Sequence, residues 1–245
     1  MIVKDIPLNE RIIFALDVDN ARDALRFVDL LGGTIGYYKV GLQLFLAEGF
    51  ALVERILERG HKLMLDLKFL DIPYTTAMAM REAAKRGVHM ATVHAHVGSV
   101  IGAAVAEARE TKVLGVTVLT SYDAAELTEL GYPGSIQDLV QTRAHIALTA
   151  GCAGIVASAQ EAAHLRRIYG DDFLIVTPGI RPAAHAIQDD QRRVMTPADA
   201  LASGADHLVV GRPISRATDP VGTTQRMLQE IAATLEEMKG SGQNP

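Results

Sequence analysis

A short charged segment, residues 66–73, interrupts an otherwise apolar part of the chain with the sequence DLKFLDIP. Residues two apart on a strand share a face, so Asp66 and Lys68 are expected to point the same way. Asp71 follows where the chain turns into the next predicted helix. Taken alone, this pattern has two interpretations: a structural ion pair with Asp71 as a helix cap, or a catalytic site at the end of a strand.

The two preceding strands add further charges. The first predicted strand ends at Asp17, and the second contains Lys39. Burying such charges among apolar residues is unfavourable unless they are paired or have a function. Three successive strands thus bring four charges onto one face, and Asp71 extends the set to a network of alternating sign. Each charge alone could be a loop cap or lie at a solvated edge of the sheet. Because the charges lie together, a catalytic site is favoured.

The loops after the last two predicted strands indicate a different chemistry. Residues 177–181 have the sequence TPGIR, and residues 210–213 have the sequence VGRP. Glycine leaves backbone N–H groups accessible to an anion. An arginine such as Arg212 can bind two phosphate oxygens at once. The structural alternative is that Gly211 only turns the chain and Arg212 lies at the surface. Their placement after the last strands favours a phosphate site.

Three other residues could carry chemistry but are assigned structural roles. His94 and His96 share a strand face, yet two nitrogens are too few for a metal site and no third ligand is evident nearby. A histidine bonded to a neighbouring carbonyl is the preferred interpretation. Cys152 lies among small residues and is predicted to pack rather than react. As the single cysteine of the chain, it cannot form an intrachain disulfide, which fits a reduced compartment.

The strands and helices predicted around these residues alternate regularly. Short apolar runs alternate with longer amphipathic segments, which predicts a parallel sheet covered by helices. The predicted strands are residues 12–17, 36–40, 62–68, 89–94, 113–119, 154–157, 173–177 and 207–210. The predicted helices are residues 21–31, 44–59, 75–86, 99–109, 136–150, 159–169 and 197–202. Two connections are long, one after the fifth strand and one between the seventh strand and the last of these helices.

The length of 245 residues and the eight strands predict the α/β class and a single (β/α)8 TIM barrel. One domain is expected over residues 1–245, with a frayed tail over about residues 239–245. An open doubly wound sheet is the rival fold, but no G-x-G-x-x-G motif follows the first strand.

Charge and hydropathy indicate which partners and which cellular compartment to expect for the protein. The net charge is −5 and the basic residues are scattered, so nucleic-acid binding is not expected. The N-terminus lacks the apolar core of a signal peptide, and no run approaches the roughly 18 apolar residues of a membrane span. We therefore expect a cytoplasmic protein without membrane contact.

Taken together, the motifs resemble the bacterial-type orotidine 5′-monophosphate decarboxylase family, whose members complete UMP synthesis. The resemblance covers nearly the whole chain, and Tyr74 departs from it because the family commonly has asparagine there. The motifs that carry it, in this order and spacing, are residues 15–17 (ALD), 39–41 (KVG), 66–73, 118–121 (VLTS), 177–181, 190–193 (DQRR) and 211–213 (GRP).

The resemblance implies decarboxylation of orotidine 5′-monophosphate to UMP without metal or organic cofactor. Lys68 would stabilise and protonate a carbanion at C6, beside Asp66, with Lys39 and Asp71 completing the catalytic set. The implied substrate-binding residues are Asp17, Lys39, Asp71, Ile72, Thr75, Thr120, Arg181, Gln191, Gly211 and Arg212. The resemblance also implies a homodimer with shared active sites, in which Asp71, Ile72 and Thr75 reach into the neighbouring subunit.

Two alternatives remain open. Sugar-phosphate decarboxylases and aldolases of the same superfamily share the Asp-x-Lys-x-x-Asp segment but use magnesium. They carry an acidic residue where this chain has Lys39, which speaks against them. A non-catalytic nucleotide-binding barrel would bind UMP without turnover, and the intact pair of Asp66 and Lys68 speaks against that.

Overall fold

The computed structural model describes residues 2–182 and 194–241. Its centre is a closed barrel of eight parallel strands that pair in chain order, and the last strand pairs with the first. The predicted (β/α)8 TIM barrel is thereby confirmed. The strands are β1 (Ile12–Ala15), β2 (Tyr37–Gly41), β3 (Lys62–Phe69), β4 (Met90–His94), β5 (Lys112–Val116), β6 (Gly154–Val156), β7 (Leu174–Thr177) and β8 (His207–Val210).

Helices follow the strands and cover the outside of the barrel. All seven predicted helices are present, and those at residues 21–31, 159–169 and 197–202 match residue for residue. The sequence pattern did not single out the helices at residues 124–129, 212–215 and 220–241. The helices of the described residues are α1 (Ala21–Leu31), α2 (Leu42–Leu57), α3 (Pro73–Lys85), α4 (Gly98–Glu107), α5 (Ala124–Glu129), α6 (Ile136–Thr149), α7 (Ala159–Tyr169), α8 (Pro197–Ala202), α9 (Arg212–Ser215) and α10 (Pro220–Ser241).

Local sequence explains where several helices begin and end. Thr196 caps α8 by accepting a hydrogen bond from the backbone N–H of Asp199, and Pro197 occupies the first turn. Gly87 and Gly204 follow α3 and α8 with φ of 74° and 107°, a conformation that favours glycine. The predicted tail begins at residue 239, whereas α10 continues to residue 241; residues 242–245 lie outside the described residues.

Two apolar layers hold the barrel together. The larger one lies between strands and helices, and the smaller one fills the interior of the barrel. Inward positions change character along a strand: β3 passes from Met64 to Asp66, and β4 passes from Met90 to Thr92. The apolar interior layer thus forms a floor, and the polar residues lie above it at the carboxyl ends of the strands. Among the described residues, no helix combines the length and apolar character needed to cross a membrane.

His207 is a buried titratable group at the amino end of β8, with 3% of its surface exposed. Its Nδ1 lies 2.9 Å from the backbone oxygen of Glu10. Because a carbonyl can only accept, Nδ1 must carry the proton. Burial lowers the pKa of His207 from 6.5 to about 4. The folded protein therefore keeps this ring neutral at pH values where the unfolded chain protonates it.

We expect His207→Asn to weaken the pH dependence of stability. Between pH 6.5 and about 4 the unfolded state binds the additional proton, so the free energy of unfolding falls as the pH falls. The asparagine amide can still donate to Glu10 but does not titrate. The loss of unfolding free energy between pH 7 and pH 5 should be smaller in the variant by about 2 kcal/mol.

Urea unfolding of both proteins at the two pH values measures this difference. His145, which is exposed, supplies a matched control because His145→Asn changes no buried group. Equal pH dependence in the unmodified protein and in His207→Asn would contradict the prediction.

Candidate active site

The carboxyl ends of the strands surround a cavity of about 440 Å³. This volume lies within the range of roughly 300–1,000 Å³ that is typical of small-molecule sites. The cavity is where a TIM barrel carries its active site. Eight residues predicted for the site line it: Asp17, Lys39, Asp66, Lys68, Thr120, Arg181, Gly211 and Arg212.

Four charged side chains form a continuous row along one wall. The ammonium of Lys39 lies 3.7 Å from a carboxylate oxygen of Asp17 and 3.3 Å from Oδ2 of Asp66. The other oxygen of Asp66, Oδ1, accepts a hydrogen bond of 2.9 Å from Nζ of Lys68. The signs alternate along the row, as the sequence predicts for these four residues. We call these four residues the charge row.

The charge row keeps its inner members ionised. Burial raises the pKa of Asp66, but Lys39 and Lys68 outweigh burial and lower that pKa to about 2. Burial lowers the pKa of Lys39, but attraction by Asp66 and Asp17 leaves that pKa above its ordinary value. The side chains of Lys39 and Asp66 are only 11% and 12% exposed, whereas Asp17 is 57% exposed. Fixed charges in a poorly hydrated wall can act strongly on a bound ligand.

Lys68 has an unusual backbone conformation at the end of β3. Its φ is 51°, a region that residues other than glycine rarely adopt. The register between β3 and β4 shifts between Leu65 and Phe69, next to this point. Thr92 on β4 contacts both the backbone N–H of Lys68 and the carboxylate of Asp66. Thr92 was not among the residues predicted for the site, and the signal that could have found it is a polar residue at an inward position of a strand.

Asp71, Ile72 and Thr75 lie outside the cavity of their own chain. All three are exposed at the start of α3, and no described ion pair joins Asp71 to the charge row. Oδ1 of Asp71 instead accepts a hydrogen bond of 2.6 Å from the N–H of Ile72. The expected network of five charges is therefore wrong within one chain, because the chain turns outward after β3. The N-cap of α3 is Ile72, so the capping interpretation of Asp71 is also wrong.

Residues that follow β7 and β8 form the part of the wall predicted to bind phosphate. Gly179 has φ of 80°, and a side chain at Gly211 would meet Asp17 at 3.1 Å. Glycine at these two positions lets the backbone border the cavity closely. Two backbone hydrogen bonds, from Met195 to Gly179 and from Arg181 to Met195, join the ends of the long connection. Gln191 lies outside the described residues.

Neither strand-end histidine has the expected carbonyl partner, and among the described residues Nδ1 of His94 is buried without a hydrogen-bond partner. Nε2 of His96 lies 2.9 Å from the guanidinium of Arg143, which also donates to the backbone oxygen of Thr117. The expected carbonyl partner is therefore wrong for His96, whose ring nitrogen accepts from a cation. Burial and the neighbouring His96 lower the pKa of His94 to about 4. Neither ring lines the cavity.

Cys152 packs as expected. Its side chain is buried, with 7% exposed, and burial raises the pKa of its thiol to about 12. A thiol held protonated in this way is a poor nucleophile.

Comparison with known proteins decides the family. A model of the family described as "Orotidine 5'-phosphate decarboxylase / HUMPS family" matches residues 10–227. The chain belongs to this family. The orotidine 5′-phosphate decarboxylase of Rhodopseudomonas palustris strain HaA2 is 47% identical over 226 residues, 91% of this chain and 95% of that protein. The protein of the same name from Syntrophotalea carbinolica is 45% identical over 242 residues, 95% of this chain and 99% of that protein.

Solved structures of this family have the same fold. The crystal structure of orotidine 5′-phosphate decarboxylase from Lactobacillus acidophilus superposes with a TM-score of 0.80 at 32% sequence identity. The superposition covers 91% of this chain and 99% of that chain. The barrel of this chain therefore matches a solved structure named orotidine 5′-phosphate decarboxylase over nearly the whole chain.

The charge row predicts unequal effects of removing its two carboxylates. Asp66→Ala leaves the buried ammonium of Lys39 beside that of Lys68 without their shared partner, and should lower the free energy of unfolding by about 3 kcal/mol. Asp17→Ala removes an exposed partner and should lower it by less than about 1 kcal/mol. Urea unfolding at pH 7 compares the two variants. If Asp17→Ala lowers the free energy of unfolding as much as Asp66→Ala does, Asp66 is not the main partner of the two lysines and the prediction is wrong.

Proposed function

We propose that this chain decarboxylates orotidine 5′-monophosphate to UMP, as a cofactor-free carboxy-lyase of de novo pyrimidine biosynthesis. The observation that carries the proposal is the charge row, which lines the cavity of a chain 45–47% identical to proteins named for this activity. A cavity of about 440 Å³ has room for a nucleotide.

Lys68 supplies the central chemistry of the proposed reaction. Loss of CO₂ from C6 leaves an electron pair on carbon that the pyrimidine ring delocalises poorly. The ammonium of Lys68, held 2.9 Å from Asp66 at the cavity wall, stabilises this carbanion. It then transfers a proton to C6, so the C–C bond to CO₂ is replaced by a C–H bond and Lys68 becomes neutral.

Asp66 lies beside the departing carboxylate in this proposal. Because its pKa is lowered to about 2, it carries a negative charge at neutral pH. Two carboxylates held side by side repel each other, and loss of CO₂ removes one of them. The binding energy of the remote phosphate holds the substrate in this unfavourable place.

The rest of the nucleotide is assigned to the other residues predicted for the site. Asp17 and Lys39 are assigned to the ribose hydroxyls, and Thr120 to the base. The phosphate is assigned to the β7 and β8 side of the cavity, where an arginine can bind two oxygens at once. The proposed phosphate-binding residues are Arg181, Gln191, Gly211 and Arg212.

The identity of Lys39 favours this reaction over the magnesium-dependent sugar-phosphate reactions. The ammonium of Lys39 lies between the carboxylates of Asp17 and Asp66, at 3.7 Å and 3.3 Å. A divalent cation held by these two carboxylates would have to occupy the same place. The protein's own side chain therefore supplies the positive charge that magnesium supplies in those relatives.

A homodimer with shared sites is part of the proposal. Large apolar side chains are exposed where the chain leaves β2, β3 and β4, among them Leu46 at 82%, Tyr74 at 72% and Ile72 at 64%. Exposed apolar groups gathered at one place favour an interface between subunits. Asp71, Ile72 and Thr75 are also exposed after β3, and in the proposed two-fold dimer they reach into the neighbouring cavity.

A spectrophotometric assay of orotidine 5′-monophosphate loss tests the proposed reaction. The unmodified protein should turn over the substrate before and after exhaustive treatment with EDTA. Lys68→Ala should lower kcat by about 10³-fold or more, because it removes the proton donor and the stabilising charge. Lys112→Ala, at the exposed amino end of β5, supplies the matched control and should retain kcat.

Two results would contradict the proposal. Near-normal turnover by Lys68→Ala would reject the role of Lys68. Loss of activity with EDTA, restored by magnesium, would favour the sugar-phosphate reaction class.

Subunit mixing tests whether sites are shared. Lys68→Ala and Asp71→Ala should each be inactive or nearly so as homodimers. In a mixed dimer one site inherits both defects, and the other combines an intact Lys68 with an intact Asp71 from the partner. Random reassortment makes half of the dimers mixed, so about a quarter of the unmodified activity should return. No recovery after verified exchange of subunits would mean that Asp71 does not serve the neighbouring site.

A further inference from the structure

Thr92 is a fully buried polar residue in the middle of β4. Its chain neighbours Ala91 and Val93 belong to the layer between strands and helices, whereas Met90 belongs to the interior layer. Thr92 therefore faces inward, one step above the apolar floor. It does not line the cavity, yet it contacts two residues that do.

The hydroxyl of Thr92 makes two hydrogen bonds whose directions are determined. The backbone N–H of Lys68 can only donate, so the hydroxyl oxygen accepts this bond, at 2.9 Å. The single hydroxyl proton remains for Oδ1 of Asp66, also at 2.9 Å. The same oxygen, Oδ1, accepts the bond from Nζ of Lys68. The hydroxyl, the carboxylate and both nitrogen atoms of Lys68 thus form one closed set of contacts.

This set lies where the β3–β4 ladder is irregular. Leu65 pairs with Ala91 and Phe69 pairs with Val93, so residues 65 to 69 of β3 are matched by residues 91 to 93 of β4. Lys68 lies inside this bulge with φ of 51°. Bulges beside active sites redirect a side chain, and a strained residue persists only when its surroundings hold it. The hydroxyl of Thr92 accepts the hydrogen bond from the N–H of Lys68, in place of a backbone carbonyl of the β3–β4 pair.

We propose that Thr92 is a positioning residue for the decarboxylation: its hydroxyl holds the backbone of Lys68 and the carboxylate of Asp66 in one fixed arrangement. This inference rests on the proposed function for its kinetic consequence. The ammonium of Lys68 must point at one carbon of the substrate, and Asp66 must stay beside the departing group. One buried oxygen that contacts both residues couples the two positions to each other.

Turnover by two variants separates positioning from packing. Thr92→Val keeps the shape of the side chain and removes the hydroxyl, and Thr92→Ser keeps the hydroxyl and removes the methyl group. Thr92→Val should lower kcat by about 10²-fold and change KM much less, because the described residues proposed to bind the phosphate follow β7 and β8 and do not contact Thr92. Thr92→Ser should restore most of kcat. If Thr92→Val does not fold, Thr92→Ala removes the same hydroxyl with a smaller side chain.

Thr111 supplies a matched control. It is also buried, 5% exposed, and its hydroxyl donates to the backbone oxygen of Val88 at the opposite end of the barrel. Thr111→Val should leave kcat unchanged even where it lowers the melting temperature. Retention of kcat by a folded Thr92→Val, or equal losses in Thr92→Val and Thr92→Ser, would overturn the inference.

Crystal structures of the unmodified protein, Thr92→Val and Thr92→Ser test the placement itself, independently of turnover. In Thr92→Val, Nζ of Lys68 should move by about 1 Å or the carboxylate of Asp66 should rotate, and Thr92→Ser should retain both positions. Unchanged positions in Thr92→Val would overturn the inference. An unmodified protein that binds but does not turn over orotidine 5′-monophosphate would reject the proposed function alone, and these structures would still decide the role of Thr92.

Discussion

The carboxylate of Asp66 holds polar side chains from three neighbouring strands together. It contacts Lys39 of β2, Lys68 at the end of its own strand and Thr92 of β4. Burial alone would favour the neutral carboxyl, but the two ammonium groups keep it ionised, with a pKa of about 2. Without this negative charge Lys39 and Lys68 would repel each other across the same wall. The positions of both lysines therefore depend on Asp66.

The barrel can hold this carboxylate because the inward side chains of a strand change from apolar to charged within one two-residue step. On β3 the step from Met64 to Asp66 leads from the apolar floor to the charge row. Every second residue of a strand faces the same side. Asp66 therefore points into the barrel as Met64 does, but lies nearer to the carboxyl end of the strand. The apolar floor excludes water from below, and the charges above it interact more strongly for that reason.

The sequence predicts the strands and the charge row for the same physical reason. Strands buried on both faces must be apolar, and charges at their carboxyl ends meet at one end of the barrel. The two bonds of Thr92 could not be predicted, because they depend on a register shift that no residue type signals. The outward turn of Asp71 depends in the same way on the path of the chain after β3. These details are set by backbone geometry rather than by residue pattern.

The charge row is neutral as a whole, since Asp17 and Asp66 balance Lys39 and Lys68. An anionic ligand placed beside Asp66 adds a negative charge that the row does not already compensate. The cavity wall from β5, β6 and β8 contributes Val116, Val156 and Val209, which offer no compensating charge. In the proposed reaction, a substrate carboxylate beside Asp66 is repelled by it, which favours its loss as neutral CO₂, and Lys68 is the acid proposed to protonate the carbon left behind. In that proposal Lys68 is the proton donor, and its ion pair with Asp66 holds it in place before any substrate arrives.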